Sequence, residues 1–316
     1  MKKRPMVILT GPTAVGKTEL SINLAKMING AIISADSMQI YKYMDIGSAK
    51  IMPHEMQGIK HYLIDELMPE EEFNIYRFKQ MAMEALDEIY ASGQIPIVVG
   101  GTGFYIRGLL YDIDFTKQDA DDDYRKQLEE FANINGAHAL HEKLKDIDPV
   151  SYETIHENNV KRVIRALEYY KQTNEPISKH NEEEKQKESP YNFAYFVLND
   201  VRENLYSRID KRVDIMMEAG LLDEIKALKK RGCTSDMVSM QGIGYKEMLK
   251  YLDGDYTLEE AVEKVKQESR RFAKRQLTWF RREKDVIWID KDKYEYDESR
   301  ILQFIEKTLI DKGVIS

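Results

Sequence analysis

Residues 6–18 read MVILTGPTAVGKT, and the end of this stretch, Gly11-Pro12-Thr13-Ala14-Val15-Gly16-Lys17-Thr18, decides the fold. It fits the pattern G-x-x-x-x-G-K-[ST] in full. The apolar run Met6–Thr10 predicts a strand before it, and the apolar residues of Lys17–Ile28 recur at helical spacing after it. A chance match in a chain of this length has a probability of roughly 1%. The stretch therefore predicts a phosphate-binding loop between a strand and a helix.

The residue types of this loop supply the groups that bind phosphate. Glycines let backbone N–H groups wrap around a phosphate, and the N-terminus of the following helix adds positive potential. Lys17 supplies a full positive charge, and the hydroxyl of Thr18 is a candidate ligand for Mg²⁺. The same pattern occurs in nucleotide-binding and ATP-binding proteins, so the loop alone leaves the phosphate compound open.

Strand and helix patterns alternate along much of the chain. Short apolar runs predict further strands at Ala31–Ser34, His61–Asp65 (the weakest), Ile95–Val99, Asn192–Leu198 and Val286–Ile289. Apolar residues at helical spacing predict helices at Tyr76–Tyr90, Arg202–Lys230, Tyr245–Leu252 and Leu258–Arg282. Such alternation is typical of parallel sheets covered by helices. We therefore predict an α/β fold with a P-loop NTPase-like parallel sheet flanked by helices.

The middle of the chain has a different character. From the acidic stretch Asp119–Asp123 to about Glu175, helical patterns occur without a convincing strand. The polar stretch Lys179–Pro190 then predicts a mobile connection back to the sheet. The sequence thus predicts an α/β core formed by residues 1–118 and 186–316, interrupted by an all-helical insertion domain at residues 119–185.

Composition limits the class of protein. The 316 residues carry a net charge of -8, and 42% of them are hydrophobic, which is normal for a globular protein. The single cysteine, Cys233, excludes an intrachain disulfide and a cysteine-based zinc site. No apolar stretch reaches about 18 residues, and the N-terminus lacks the features of a signal peptide. We therefore expect a soluble cytoplasmic protein that does not bind a membrane.

Two further predicted strands end in residues that suit a binding site. Asp36 and Ser37 follow the second strand, and Gly100–Gly103 follows Ile95–Val99. In doubly wound sheets, ligands bind outside the carboxyl ends of the strands, so Asp36 should face the same crevice as the phosphate loop. The alternative, in which Asp36 and Ser37 merely cap the next segment, has equal weight from position alone. No carboxylate ends Ile95–Val99, which weakens a kinase or ATPase interpretation.

A basic stretch lies near the C-terminus. Between Lys264 and Lys284 there are nine basic residues and two acidic ones, although the whole chain is acidic. Phe272, Trp279 and Phe280 are interleaved with them and could stack on bases. This pattern predicts a helix that binds a nucleic-acid backbone. The alternative is a solvated helix whose aromatic residues belong to the core.

At these residues the chain resembles the tRNA dimethylallyltransferases, also called tRNA isopentenyltransferases, and most closely those of bacteria. The matching segments follow the family's order and cover nearly the whole chain: Gly11–Thr18, Ser34–Tyr41, Gly100–Tyr105, Asn159–Glu168, Gly242–Glu247 and Lys274–Arg281. Together these motifs are highly specific, whereas the phosphate loop alone is not.

The resemblance implies a reaction and roles for the catalytic residues. Members of the family transfer the dimethylallyl group of dimethylallyl pyrophosphate to N6 of adenosine 37 in tRNA, using Mg²⁺. By the match, Lys17 would neutralise the pyrophosphate held by Thr13–Thr18, and Thr18 would help to bind the metal. Asp36 would accept a hydrogen bond or a proton from the attacking amine, and Thr102 would contact the same base. Arg208 is a further candidate for the pyrophosphate.

The resemblance also implies an extensive contact with the anticodon stem-loop of tRNA, partly through the helical insertion. The residues it assigns to this contact are Asp36, Ser37, Met38, Gln39, Thr102, Arg125, Lys161, Arg162, Arg165, Gln241, Gly244, Tyr245, Lys246, Lys274, Arg275, Gln276, Thr278, Trp279 and Arg281. We expect the protein to act as a monomer, because tRNA supplies a large partner surface.

Two other functions remain open from the sequence. A small-molecule kinase is predicted by the phosphate loop alone, but it does not explain the basic stretch. An adenylate isopentenyltransferase, which prenylates free nucleotide, shares the phosphate loop and the Ala35-Asp-Ser37 stretch. The segments Gly242–Glu247 and Lys274–Arg281 favour a polynucleotide acceptor instead.

Overall fold

The computed structural model describes residues 3–114 and 122–315. These residues form two compact units. The first unit combines the chain up to Leu110 with the chain from Pro190 onwards, and the second unit is Tyr111–Ser189. The sequence placed the helical insertion at residues 119–185, and part of the predicted acidic stretch at its start lies outside the described residues.

The first unit contains one six-stranded sheet in the order β3-β2-β4-β1-β5-β6. Every pairing between neighbouring strands is parallel. The strands are β1 Arg4–Thr10, β2 Gly30–Ala35, β3 His61–Tyr62, β4 Ile95–Gly100, β5 Tyr191–Asn199 and β6 Val286–Asp290. This arrangement confirms the predicted α/β fold with a parallel sheet.

Helices cover both faces of this sheet. They are α1 Lys17–Met27, α2 Ile75–Ala91, α3 Gly103–Leu110, α8 Arg202–Glu218, α9 Leu221–Lys230, α10 Tyr245–Leu252, α11 Leu258–Phe280 and α12 Glu298–Asp311. Short 3-10 helices lie at Ser239–Gln241 and Lys291–Tyr294. The central strands are buried on both faces, which explains why they read as continuous apolar runs rather than alternating ones.

The second unit is helical within its described residues. Its helices are α4 Asp122–Glu142, α5 Pro149–Thr154, α6 Val160–Thr173 and α7 Ile177–Gln186. Its core is formed by Leu140, Leu144, Val163 and Leu167, among others. Helix α4 is kinked at Gly136, whose φ is 87° and whose ψ is 160°.

The predicted mobile connection at Lys179–Pro190 is wrong, because most of it belongs to helix α7. A buried carboxylate holds the start of this helix. Asp148 accepts hydrogen bonds from the backbone and hydroxyl of Ser178 at 3.0 and 2.6 Å, and also caps α5 through Ser151 at 3.0 Å. Burial alone would raise the pKa of Asp148, but the bonds from Ser178 and Ser151 lower it overall. This long-range partner is not visible in the local sequence.

Two other predicted elements differ from the structure. The predicted helix Arg202–Lys230 is two helices, because Gly220 adopts a φ of 99° between α8 and α9. The predicted strand His61–Asp65 pairs with β2 only over His61–Tyr62, because Leu63 and Asp65 have positive φ values.

The parallel sheet fixes where a ligand can bind in the first unit. The carboxyl ends of β1, β2 and β4 lie side by side, and Thr10 donates a hydrogen bond from its hydroxyl to Gly100 O at 2.6 Å. The loops that follow these strands carry the phosphate loop, Asp36 and Thr102. Among the described residues, no helix combines the length and apolar character needed to cross a membrane.

Candidate active site

The phosphate loop lies between β1 and α1, as the sequence predicts. Gly16 occupies the N-cap of α1 with a φ of 95°, a conformation that a residue with a side chain rarely adopts. The Nζ of Lys17 turns back and donates to Gly11 O at 3.0 Å and Pro12 O at 2.9 Å. The lysine side chain thus bonds to the carbonyl groups at the start of the loop, and the loop ends at the N-terminus of α1.

A cavity of about 500 Å³ opens in front of this loop, and we call it the first cavity. Its basic side chains are Lys17, Arg208, Lys211 and Arg212. The last three come from α8, where a spacing of three and four residues places them on one helical face. A cavity with this charge suits a phosphate compound.

Burial and neighbouring charge make Lys17 an unusual lysine. Its pKa is lowered from 10.5 to about 8, mainly by burial and secondly by the positive charge of Arg212, while the carboxylate of Asp36 opposes the shift. Burial also lowers the pKa of Arg212, against the effect of Asp36. Two desolvated cations thus face a single nearby carboxylate, which favours binding of an anion between them.

Arg208 is held by an acid that the sequence analysis did not identify. Asp200 directly follows β5, and its carboxylate forms an ion pair with the guanidinium of Arg208. Asp200 also accepts hydrogen bonds from Val201 N at 2.7 Å and from the hydroxyl of Tyr296 at 3.1 Å. The side chain of Asp200 is fully buried, so it orients Arg208 at the cavity.

Asp36 combines the two roles between which the sequence did not decide. Its Oδ1 accepts hydrogen bonds from Met38 N at 2.8 Å and Gln39 N at 3.4 Å, so it caps the turn after β2. In the described part of the chain, no hydrogen bond reaches Oδ2, and Asp36 lines the first cavity. The cap fixes the carboxylate while one oxygen remains available to a ligand.

A second cavity, of about 430 Å³, adjoins the first. Both cavities share Asp36 and Arg212 in their lining. The second cavity adds Thr102 and the aromatic side chains of Phe73 and Tyr105. Further apolar residues complete it, namely Met38, Ile209, Val213, Met216, Val238, Ile243 and Val265. Arg212, Lys246 and Arg275 line it as well, but its wall is mostly apolar and partly aromatic, which suits a flat organic ring.

The side chain of Gln276 lines both cavities, and its predicted contact with tRNA stays a prediction. It is buried, its Oε1 accepts from Thr13 N at 2.9 Å, and its Nε2 donates to Gly101 O at 3.0 Å. A side chain on Gly101 would collide with that amide, since its Cβ would lie 2.0 Å from Nε2. Gln276 thus ties the phosphate loop to the end of β4, and the N–H of Thr13 is already used.

The segment around α10 lines the second cavity, but Tyr245 has a different place. Gln241, Gly244 and Lys246 line the cavity, whereas Tyr245 is fully buried. Its hydroxyl donates to Glu224 Oε1 at 2.8 Å, and burial raises its pKa. The predicted contact of Tyr245 with tRNA stays a prediction, and its side chain packs inside the protein.

Glu224 joins this segment to the loop that follows Asp36. Its carboxylate accepts from three consecutive backbone N–H groups, those of Asp45 at 2.9 Å, Ile46 at 2.7 Å and Gly47 at 3.1 Å. Together with the bond from the Tyr245 hydroxyl, the Glu224 side chain on α9 accepts four hydrogen bonds. No local pattern in the sequence marks this role, because the partners are far apart along the chain.

The basic helix α11 is divided into two parts by its ion pairs. Toward its start, Lys266 pairs with Asp214 at 2.6 Å and Arg270 pairs with Asp210 at 2.5 Å. Toward its end, exposed basic residues have no ion pair among the residues that the structure describes: Lys274, Arg275, Arg281 and Arg282. The excess of positive charge thus lies at the C-terminal end of α11.

The remaining residues assigned to tRNA on α11 differ in exposure. Arg275 lines the second cavity, and Thr278 is exposed, with its hydroxyl bonded to Lys274 O at 2.9 Å. Trp279 is half-buried beside Gly103 and meets Phe104 edge-on, with 6.3 Å between the ring centroids. Phe280 is fully buried, so it belongs to the core rather than to a stacking surface.

The candidate tRNA residues of the second unit form a separate cluster. Arg125 makes a bidentate ion pair with the buried Glu168, at 2.8 and 2.7 Å. Burial lowers the pKa of Arg165 on the same helix as Glu168. Lys161 and Arg162 are exposed at the start of α6. Arg125 is therefore committed to its own unit, whereas Lys161 and Arg162 are available to a partner.

The first cavity offers a fitting but incomplete site for Mg²⁺. Among the described residues, no group of three or more His, Cys, Asp or Glu could enclose a metal ion. The exposed hydroxyl of Thr18 and the carboxylate of Asp36 line the cavity. Because Mg²⁺ keeps several waters and often uses one or two protein ligands together with substrate phosphates, these oxygens fit a metal that arrives with its phosphate ligand.

Comparison with known proteins agrees with this geometry. The family model described as IPP transferase matches residues 39–283. The chain belongs to this family. It is 60% identical over 312 residues to a protein of Lachnoclostridium phytofermentans named tRNA dimethylallyltransferase, and the match covers 99% of each chain. The family resemblance found in the sequence is therefore confirmed.

Solved structures of related proteins support the same assignment. The tRNA isopentenylpyrophosphate transferase of Bacillus halodurans is 46% identical, with 98% of each chain covered and a TM-score of 0.73. The tRNA delta(2)-isopentenylpyrophosphate transferase of Staphylococcus epidermidis is 43% identical, with 98% of this chain and 100% of that chain covered and a TM-score of 0.71. A eukaryotic dimethylallyltransferase acting on tRNA is 31% identical over 91% of this chain and 74% of its own, with a TM-score of 0.77. Membership of this family rules out the small-molecule kinase alternative.

Four residues of the site, Lys211, Arg212, Asp200 and Glu224, were not predicted from the sequence. Lys211 and Arg212 could have been found, since they stand three and four positions after Arg208 and so share its helical face. Asp200 and Glu224 could not, because nothing local connects them to the residues that they hold. The sequence correctly indicated that no carboxylate directly follows β4. A carboxylate does follow β5, the strand on the other side of β1, where Asp200 comes directly after the last residue of the strand.

Proposed function

We propose that the protein transfers a dimethylallyl group from dimethylallyl pyrophosphate to N6 of adenosine 37 in tRNA, releasing pyrophosphate. The observation that supports this most strongly is that a basic cavity and an apolar, aromatic-lined cavity adjoin at Asp36. A prenyl donor needs the first kind of cavity for its leaving group, and an adenine needs the second. The relatives' names mention tRNA and the dimethylallyl group, and the family resemblance implies the pyrophosphate donor and adenosine 37.

In the donor cavity, the chain's own residues bind and stabilise the leaving group. Backbone N–H groups of the phosphate loop and the cations Lys17, Arg208 and Arg212 surround the pyrophosphate. Mg²⁺, which Thr18 would help to hold, supplies further neutralisation of the charge that develops on the leaving oxygen. Since pyrophosphate carries its negative charge away, stabilising it lowers the barrier to breaking the bond between C1 and oxygen.

In the acceptor cavity, the chain orients a weak nucleophile. The lone pair of an exocyclic adenine amine is delocalised into the ring, so the amine must be held in line with C1. Asp36 accepts a hydrogen bond from the amine, whose nitrogen forms the new bond to C1 as the bond from C1 to the pyrophosphate oxygen breaks, and the amine then passes one proton to the Asp36 carboxylate. The adenine reaches a buried cavity only if it leaves its stack, so we infer that the base is flipped out.

The contact with tRNA extends beyond the reacting base. The exposed cations at the end of α11, namely Lys274, Arg275, Arg281 and Arg282, suit the phosphate backbone of the anticodon stem-loop. Lys161 and Arg162 of the second unit are further candidates. A cytoplasmic monomer is the form that we propose, because tRNA supplies the partner surface and the single cysteine is buried and free.

The proposal is tested by incubating the protein with radiolabelled dimethylallyl pyrophosphate, Mg²⁺ and either unmodified tRNA or free AMP. We expect label in tRNA and none in AMP. Label in AMP alone would assign the protein to the nucleotide-prenylating enzymes. Absence of label from both acceptors would contradict the proposal.

Two substitutions at Asp36 separate its chemical role from its structural one. Asp36→Asn keeps an oxygen that can cap the turn at Met38 but removes the charge, whereas Asp36→Ala removes both. We expect each variant to lose about 10²–10⁴-fold in turnover, since that is the usual contribution of a general base. Binding of pyrophosphate should stay intact in Asp36→Asn. Full activity of Asp36→Asn would exclude the carboxylate from the reaction.

A further inference from the structure

Lys291 lies against the phosphate loop from the far end of the sequence. It begins the 3-10 helix Lys291–Tyr294, directly after β6. Its half-buried side chain donates a hydrogen bond from Nζ to Val15 O at 3.2 Å. The same Nζ lies 3.1 Å from the position that a Cβ on Gly16 would occupy. Lys291 thus contacts the peptide group that joins Val15 to Gly16.

The geometry of that peptide group gives the contact a consequence. A trans peptide is planar, so its C=O and N–H point in opposite directions. Because Lys291 holds Val15 O on one side, it directs the N–H of Gly16 toward the other side, where the N–H groups of such a loop bind phosphate. Glycine at position 16 has wide backbone freedom, so this peptide would turn easily without an anchor.

The charges around Lys291 also favour a nearby anion. Burial and the positive charge of Arg208 lower the pKa of Lys291, whereas the carboxylates of Glu298 and Glu19 raise it. The carboxylate of Asp200 is paired with Arg208. Lys291 and Arg208 therefore repel each other across the edge of the phosphate loop, and an anion in the loop relieves that repulsion.

We propose that Lys291 is a positioning residue for the leaving pyrophosphate, which orients and polarises the Val15–Gly16 peptide of the phosphate loop. This inference rests on the proposed function, because it takes pyrophosphate as the ligand of the loop. Lys17 reaches the loop carbonyls from inside, and Lys291 reaches one from outside. The two lysines together fix the loop in the form that binds phosphate.

The test measures binding of inorganic pyrophosphate with Mg²⁺ to the full-length protein by calorimetry. We expect Lys291→Ala to weaken binding about tenfold and Lys291→Gln, a neutral donor, to give an intermediate loss. Lys291→Arg should bind nearly as the unchanged protein does. Lys293→Ala is the matched control, since Lys293 lies two residues away, is exposed and pairs with Asp290 at 2.8 Å.

Steady-state kinetics separate positioning from a general loss of structure. We expect Lys291→Ala to raise the KM for dimethylallyl pyrophosphate while the KM for tRNA and the melting temperature without ligand stay unchanged. Unchanged pyrophosphate affinity in Lys291→Ala, with measurable binding by the parent protein, would overturn the inference alone. If the parent protein did not bind pyrophosphate, the proposed function would fall, and the inference with it.

Discussion

The two cavities of the first unit are built in different ways. The first cavity takes its phosphate-binding groups from one short loop, Thr13–Thr18, and its other cations from one face of α8. The second cavity takes its walls from separated segments of the chain, including Asp36–Met38, Thr102, Gln241–Gly244 and Phe272. The first is a local structure, whereas the second exists only when the whole unit has folded.

This difference has a consequence for the two substrates. A loop of backbone N–H groups binds phosphate in any protein that forms it, so the first cavity sets affinity for a common group. The second cavity distinguishes its ligand through shape and a few polar side chains, so it sets which acceptor reacts. Asp36 and Gln276 line both cavities, so we expect substitutions there to affect both substrates.

After Asp36, the largest effect is expected at Gln276, which holds both cavities together. Gln276→Ala removes the bonds to Thr13 N and Gly101 O, each of which contributes about 0.5–1.5 kcal/mol. We expect the KM values for dimethylallyl pyrophosphate and for tRNA to rise together, with kcat/KM falling about 10- to 100-fold. Steady-state kinetics with each substrate varied in turn measure this. Gln267→Ala, the same substitution at an exposed position of the same helix, is the control. A change confined to one substrate would show that Gln276 serves one cavity only.

A pH effect should distinguish the first cavity from the second. The pKa of Lys17 is about 8 in the free protein, so the lysine loses its charge as the pH rises through that value. Binding of pyrophosphate must then restore the proton, and we expect its affinity to fall by up to about tenfold per pH unit above pH 8. The measurement is calorimetric titration between pH 7 and about pH 9.5. Lys17→Met should remove the slope, and a slope that persists in this variant would contradict the assignment.

As the pH rises, the contribution of Lys17 to the stability of the fold should change in the opposite direction to pyrophosphate affinity. The folded-state pKa of Lys17 is lowered, so between about pH 8 and pH 10.5 the unfolded chain binds more protons than the folded one. The contribution of Lys17 to the free energy of unfolding therefore rises with pH in that window, while pyrophosphate affinity falls. The difference in unfolding free energy between the parent protein and Lys17→Met, followed against pH, checks the sign.

Glu224 should affect the second cavity alone. Its carboxylate holds the backbone of Asp45, Ile46 and Gly47 and the hydroxyl of Tyr245. We expect Glu224→Ala to raise the KM for tRNA about tenfold, because the loop after Asp36 loses its anchor, and to leave pyrophosphate affinity unchanged. Asp223→Ala is the control, since Asp223 is the preceding residue and its exposed carboxylate pairs with Lys226 at 3.1 Å. Loss of pyrophosphate binding in Glu224→Ala would show that the two cavities depend on the same anchor.

The first cavity is formed by a local segment and the second by separated segments, and this difference determines how much of each the sequence predicts. The phosphate loop, Asp36 and the strands that carry them are local patterns, so the sequence placed them correctly. Arg212 was also within reach, because helical spacing links it to Arg208. The parallel sheet follows from buried apolar runs that alternate with helices.

The rest depends on partners that are distant along the chain. Glu224 and the N–H groups that it binds are separated by 177 to 179 residues, and Gln276 is 263 residues from Thr13. No local pattern marks such pairs. Tyr245 and Gln276 were assigned to tRNA because they lie within family motifs, whereas the structure buries both. A motif thus identifies the segment that lines a site without telling which of its side chains face the ligand.

The smallest effect is expected on α11, where the structure divides the basic stretch that the sequence treated as one. Arg270 is paired with Asp210 and Glu263, whereas Arg281 is exposed and has no ion pair among the described residues. We expect Arg281→Ala to weaken tRNA binding two- to fivefold, which corresponds to about 0.5–1 kcal/mol for an exposed charge. The slope of log affinity against log salt should fall by about one, since one phosphate contact is lost. Arg270→Ala should leave that slope unchanged and lower the melting temperature instead. Equal effects of the two substitutions on the salt dependence would mean that both ends of α11 meet the tRNA backbone.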